Sequence, residues 1–356
     1  MKNIKTLTQE AISLLKSLIE TPSISSEEDQ TAILIEEWFI QNEIQFHREN
    51  NNVWAFNQHF DENKPTLLLN SHHDTVRPNQ AYTNDPFEAI VKDGKLFGLG
   101  SNDAGGCLVS LMATFTYFYD RDNLPYNIVI VASAEEESSG KKGLNSVLKS
   151  LPELDCAIVG EPTLMQLAIA EKGLLVLDVK VKGTPSHAAH QNNDSAIYKA
   201  IPIIEWFKNY AFEKISEQLG PVKMTVTQIN AGSQHNVVPS ECNLVVDIRV
   251  NDCYTNTEIL QIAKDNIDAE VTPRSMHLNA SSIPVSHKLI QAGIRLGRTT
   301  YGSPTLSDQS VLSCKSLKLG PGDTLRSHSA DEFIYLSEIE EGIDLYIKIL
   351  EDFLKL

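Results

Sequence analysis

The sequence predicts an α/β fold: a discontinuous domain on a mostly parallel sheet with flanking helices, interrupted by a smaller α+β domain. Three observations carry this. In the first half, short apolar runs rich in β-branched residues alternate with helical stretches. After Lys172 the strands change texture, with apolar and polar residues alternating. The chain then returns to helix and ends on a long amphipathic one.

The elements follow in order. "MKNIKTLTQEAISLLKSLIE" sets Leu and Ile at helical spacing with Glu and Lys between them. It lacks a signal-peptide core and cleavage site, so a cytoplasmic protein is expected. "TLLLN" and "YNIVIVASA" read as buried strands, and "AGGCLVSLMATFTYFY" between them as a buried helix after a glycine turn. "LDCAIVGEPT" is a further strand ending in a turn. Next, "LLVLDVKVKG", "VKMTVTQINAG" and "ECNLVVDIRV" read as half-exposed antiparallel strands, accompanied by helices in "DSAIYKAIPIIEWFKNYAF" and "NTEILQIAKDNI". "SHKLIQAGIRLG" and "SEIEEGIDLYIKILEDFLKL" close the chain as helices. The expected division is 1–172 with 282–356 as the main domain, and 173–281 as the insert.

Composition narrows the function. The chain has 356 residues, 42% hydrophobic and 22% charged, which suits a folded protein of two domains. No apolar run reaches the roughly 18 residues of a membrane span, so no membrane partner is expected. A formal net charge of −17 repels phosphate backbones and argues against a nucleic-acid partner. Five scattered cysteines without a CxxC pair predict reduced thiols, with neither a disulfide framework nor a thiolate metal site.

Asp, Glu and His collect at the predicted strand ends: "NSHHDTV", "GLGSNDAGG", "SAEEESSG", "VGEPT" and, late in the chain, "RSHSADE". Open α/β sheets bind ligands at the carboxyl ends of their strands. Singly, each stretch has a plain structural explanation, such as a cap, a solvated face or a hydrogen-bonded core histidine. Together, several carboxylates brought close would repel one another unless a cation sat among them. Carboxylate and imidazole donors without thiolates suit Zn²⁺, Co²⁺ or Mn²⁺. Side chains on a strand alternate faces, so His72 and Asp74 point one way and His73 the other.

In order along the chain, "HHDTV", "NDAGG", "AEEES", "GEPT", "GTPSH", "NVVP" and "RSHSADE" resemble the M20 di-zinc metallohydrolases. Within them the sequence looks like the acetylornithine deacetylase and succinyl-diaminopimelate desuccinylase group, over nearly the whole chain. The resemblance implies two divalent metal ions per subunit, Zn²⁺ with Co²⁺ as an alternative. His72 and Glu161 would hold one, Glu136 and His328 the other, with Asp103 bridging. Asp74 would orient His72, and Glu135 would be the general base. Three glutamates stand in a row, so the base and ligand pair is Glu135 and Glu136 by family spacing, with Glu136 and Glu137 as the other frame. The insert would be a lid that also forms a homodimer. From it His187 would reach the partner subunit's site and polarise the scissile carbonyl, while Asn236 and Arg249 would contact substrate. Arg249 pairing with Asp247 is the competing reading. His190 and His73 would be structural.

The sequence also departs from the family. Leu99 stands where the family often has arginine in its glycine-rich loop, and "DAGGC" lacks the usual lysine. Both bear on the charge around the site and on any close subfamily match. The implied activity is hydrolysis of the amide in a small N-acyl amino acid. N-acetylornithine, or N-acetyl- or N-succinylcitrulline, in arginine biosynthesis comes first. Succinyl-diaminopimelate or a dipeptidase or carboxypeptidase substrate is the alternative, and a metal-binding homologue without catalysis is a third reading.

Overall fold

A computed structural model of the chain describes residues 3–356. Helix α1 (Ile4–Glu20) is capped by the Asn3 side chain, which accepts from the Lys5 N–H, and α2 (Asp29–Gln41) follows. Strands β1 (His47–Glu49), β2 (Asn52–Phe56) and β3 (Thr66–His72) come next, then a hairpin of β4 (Ile90–Lys92) and β5 (Lys95–Phe97). Helix α3 (Gly106–Phe118), β6 (Asn127–Ser133), the short α4 (Leu144–Val147), β7 (Leu154–Val159) and β8 (Leu167–Glu171) complete the first half. The strand and helix stretches read from sequence in this half all form.

The chain divides into two compact units. The first takes the chain up to Ile169 with Ser282–Tyr301 and Ser307–Leu356; the second comprises Ala170–Ser281 and Gly302–Leu306. The excursion at Gly302–Leu306 has no counterpart in the sequence pattern. At Gly302 a side chain would stand 2.3 Å from the carbonyl oxygen of Gln218, so glycine permits that approach.

The second unit carries β9 (Gly173–Lys182), β10 (Ser186–His187), α5 (Ala196–Asn209), β11 (Lys223–Ala231), β12 (Val237–Val238), β13 (Glu241–Val250), α6 (Asn256–Asn266) and β14 (Glu270–Pro273). Its antiparallel sheet runs β11-β13-β9-β14. The period-two burial along β9 and β13 packs Leu175, Leu177, Val179, Leu244, Val246 and Ile248 into a core with α5 and α6. Helix α6 begins with a capping box between Thr255 and Glu258.

Two short strands, β15 (Ser281–Ser282) and β16 (Thr300–Ser303), flank α7 (Lys288–Arg295), and β17 (Lys315–Lys318), β18 (Phe333–Tyr335) and α8 (Leu336–Leu354) finish the chain. The central sheet runs β1-β2-β6-β3-β7-β17-β8. Its middle is parallel: β6 with β3, β3 with β7, and β7 with β17. Every residue of β3 and β6 is buried, as expected of strands covered on both faces. Helix α3 is buried nearly all round. A side chain at Gly105 would meet the Gly100 carbonyl at 2.5 Å, and one at Gly106 would meet Ile334 at 2.3 Å. That is the physical content of the "AGG" turn. Helix α8 buries Ile339, Ile343, Tyr346, Ile347, Leu350 and Phe353 along one stripe; each such side chain contributes roughly 1.5–3 kcal/mol.

Candidate active site

Three adjacent parallel strands, β6, β3 and β7, end on the same side and deliver acidic and imidazole side chains there. His72 is the last residue of β3 and is 1% exposed. Its Nδ1 donates to the backbone carbonyl of Asp74 at 2.9 Å, while the Asp74 carboxylate stands farther off, at 3.5 Å. With the proton on Nδ1, the Nε2 lone pair is free to face Asp103 Oδ1 at 3.5 Å and Glu161 Oε1 at 3.9 Å. His73 points away. Its Nε2 donates to the Asn51 carbonyl (2.9 Å) and its Nδ1 accepts from the Thr31 hydroxyl (2.8 Å). Burial pushes its pKa down to about 4.

The Asp74 carboxylate holds the loop after β6, accepting from the backbone N–H groups of Glu136 (3.1 Å) and Glu137 (3.2 Å). The three glutamates of that loop do different things. Glu135 has a backbone φ of 53° and folds its side chain over Gly140, where its Oε2 accepts from the Lys142 N–H at 3.0 Å. It closes the 135–143 loop upon itself. Glu137 reaches His328 Nε2 at 3.1 Å, with Asp103 beside it. Glu136 lies between, crowded by Glu161, Asp308 and Glu137; burial, then those charges, hold its carboxyl well above the usual range. Of the two frames the triplet allows, the contacts match the one that pairs Glu136 with Glu137. Glu137, not Glu136, meets the late histidine, and Glu136, not Glu135, is the free carboxyl beside the cluster.

Asp103 sits at the middle. One carboxylate oxygen lies 3.5 Å from His72 Nε2, the other 3.5 Å from His328 Nε2. Ligand bonds of about 2.0–2.2 Å at tetrahedral angles set donor atoms about 3.3–3.6 Å apart, so these spacings fit two metal ions sharing Asp103. His72, Asp103 and Glu137 offer donor atoms all within 4.8 Å of one another. Without a cation the acids are strained as anions: burial, then Asp103, pushes Glu161 up to about 8. Glu137 beside it pushes His328 up to about 9. The residues present fit a divalent pair.

Sequence reasoning missed three buried acids around this cluster. Glu332 accepts three backbone N–H groups of the Asp103 loop. Asp308 accepts from Ser133 Oγ at 2.5 Å. Glu28 accepts from the Glu135 N–H at 3.2 Å. Only Glu332 carried a usable signal, as an acid next to the strand that follows the late histidine. A second donor cluster, Asp155, Cys156 and His287, lies elsewhere. There His287 Nδ1 accepts from the Leu289 N–H and caps α7, and Asp155 accepts from the Tyr126 hydroxyl.

In the second unit, His187 is exposed on β10, which pairs with β12. Its Nδ1 accepts from the Ala189 N–H at 3.1 Å, leaving Nε2 outward. The carbonyl of Asn236 accepts from the Ala188 N–H at 2.9 Å, so Asn236 and His187 share one small hairpin. Arg249 forks onto Asp247 at 2.9 and 3.1 Å. A substrate carboxylate would have to compete with that pair.

A discontinuous α/β unit with imidazole and carboxylate donors bridged by one aspartate, interrupted by an α+β unit, defines a metal-dependent hydrolase of amide bonds. The chain belongs to peptidase family M20/M25/M40, whose pattern matches residues 68–352. It is 26% identical to the acetylornithine deacetylase of Shigella sonnei (strain Ss046), over 96% of this chain and 97% of that one. It is 24% identical to a succinyl-diaminopimelate desuccinylase 2 of Ruegeria sp. (strain TM1040), over 96% and 94%. Its fold matches the YXEP protein of Bacillus subtilis, a dinuclear metal-binding M20 peptidase, with a TM-score of 0.72 at 16% identity, covering 97% and 98% of the two chains. Among the described residues no helix is long and apolar enough to cross a membrane.

Proposed function

We propose that this protein is a two-metal amidohydrolase that removes the acyl group from an N-acyl amino acid, with N-acetylornithine as first candidate. The observation that carries it is Asp103, whose two carboxylate oxygens face His72 and His328 at equal distance. His72 and Glu161 would hold one ion, Glu137 and His328 the other, and Asp103 both. Bound there, divalent cations supply Lewis acidity toward the amide carbonyl and bring water toward ionisation near neutral pH. Zn²⁺ suits the donors and Co²⁺ is a close substitute.

Glu136 takes the proton of the attacking water and returns it to the leaving amine nitrogen. Asp74 fixes the backbone from which Glu136 and Glu137 project. His187, from the lid of a second subunit, donates to the developing oxyanion, and Asn236 on the same hairpin orients the substrate. Arg249 serves the substrate carboxylate only by leaving Asp247. The homodimer reading is supported by the exposed edge strand β11 and by Tyr198, Ile201 and Ile229, which are 71%, 48% and 56% exposed. The protein is read as cytoplasmic and the acetylornithine reaction as a step of arginine biosynthesis.

The relatives named acetylornithine deacetylase support the substrate; the desuccinylase relative favours succinyl-diaminopimelate as the second reading. The test is a panel of N-acetylornithine, N-acetylcitrulline, their succinyl analogues, succinyl-diaminopimelate and dipeptides, each with Zn²⁺ and Co²⁺. A preference for N-acetylornithine of tenfold or more in kcat/KM supports the first reading. No chelator-sensitive hydrolysis of any amide would leave a metal-binding homologue without catalysis.

A further inference from the structure

Three backbone N–H groups of one loop converge on one carboxylate. Glu332 Oε1 accepts from Asn102 and Asp103, each at 2.8 Å, and Oε2 accepts from Gly100 at 3.1 Å. Glu332 is 2% exposed. Its own backbone is tied on the same side: its carbonyl accepts from the Gly98 N–H at 3.0 Å, and the next residue, Phe333, pairs with Phe97 across β18 and β5. The Phe333 ring lies 4.0 Å from Lys95 Nζ and 4.8 Å from Arg326 Cζ, which fixes the strand further.

Hydrogen bonds from N–H groups to a buried carboxylate are short and about twice as strong as neutral ones. Here they take up the N–H of Asp103 itself and of two residues before it. That leaves the Asp103 backbone little freedom to turn, and its carboxylate must divide evenly between His72 and His328. We propose that Glu332 is the positioning residue of this site, clamping the Gly100–Asp103 loop so that Asp103 bridges the two metal positions. This rests on the reading of Asp103 as the shared ligand.

The test compares the wild type with Glu332→Gln, Glu332→Asp and a control, Asp331→Asn. Asp331 is adjacent, but its carboxylate serves only Thr83 and Asn84 among the described residues. The glutamine amide presents one acceptor oxygen and turns an NH₂ toward N–H donors, so the clamp loses at least one bond. Co²⁺ affinity is measured by titrating the visible absorption band, whose position and intensity report ligand geometry, and kcat and KM are measured on the best amide of the panel. For E332Q we expect Co²⁺ affinity and kcat each lower by about 10- to 100-fold with KM within about twofold, and an altered Co²⁺ band. E332D should be intermediate and D331N unchanged. Wild-type affinity, band and kcat in E332Q, whatever its melting temperature, would overturn the proposal. If E332Q does not fold, E332D with a wild-type Co²⁺ band and affinity overturns it equally. Absence of amide hydrolysis in the wild type defeats the proposed function, while the Co²⁺ comparison still decides the role of Glu332.

Discussion

Glu137 places a carboxylate oxygen 3.1 Å from Nε2 of His328, 191 residues later in the chain. That contact supports Glu136 and Glu137, over Glu135 and Glu136, as the proposed base and ligand pair. Three single variants separate the roles. Glu137→Ala should lower bound metal from two ions to one per subunit, measured by elemental analysis. Glu136→Gln should keep both ions and lose about 10²- to 10⁴-fold in kcat. Glu135→Gln should keep metal and most activity while lowering the melting temperature, because it loosens the loop closed on Lys142. A dead Glu135→Gln with normal stability would restore the frame expected from family spacing.

His72 and His73 should part ways in the same manner. His72→Ala removes a donor facing Asp103 and Glu161, so metal and turnover go together. His73→Ala leaves the Asn51 carbonyl and the Thr31 hydroxyl without their partner in a buried place. It should cost about 2–4 kcal/mol of stability and leave metal content intact. Denaturant unfolding beside metal analysis reads both.

Asp74→Asn keeps the shape of the side chain but weakens the acceptors of the Glu136 and Glu137 N–H groups. The expected result is a 10- to 100-fold loss in kcat with little change in KM. A change confined to KM would show that the loop is held by something else.

Glu28 predicts a pH effect on stability. Its Oε1 accepts from the Glu135 N–H, while its Oε2 is buried without a partner. Burial first, then the charges of Asp74 and Glu135, push its pKa up to about 7 from an ordinary 4.5. A folded-state pKa above the unfolded one means the folded state holds the proton more tightly. The stabilisation is complete below about pH 4.5 and is lost as pH rises through about 7, a change on the order of 3 kcal/mol at most. Glu28→Gln carries no charge to remove, so its stability should fall less than wild type between pH 5 and 8. Parallel curves at saturating metal would refute this.

Much of the site was readable because its donors sit where strand period and chain order place them. His72 follows an apolar run, Asp103 precedes a glycine pair, and Glu161 lies just past the end of β7. The frame of the triplet was not readable, because it depends on a left-handed backbone at Glu135 and on Gly140 lying under its side chain. Glu28 and Asp308 were invisible for another reason. Their importance comes from distant chain segments folding over them, and an acid in a polar stretch carries no local mark. The helices and strands of the insert were legible from alternation, whereas the return of Gly302–Leu306 to that unit, with Gly302 close against Gln218, joins distant segments and leaves no local pattern.

The strand order has a consequence for how the protein is made. Strand β17 lies between β7 and β8, although β7 and β8 are neighbours in sequence. A nascent chain that has emerged only as far as β8 therefore has a vacant slot in its sheet, and its exposed edges invite pairing with other chains. It also has four of the five proposed donors and lacks His328. The ribosome must add the whole insert before the missing strand and the missing histidine arrive. Metal capture by both positions should thus wait until His328 has emerged, and products truncated after β8 should depend on chaperones to stay unaggregated.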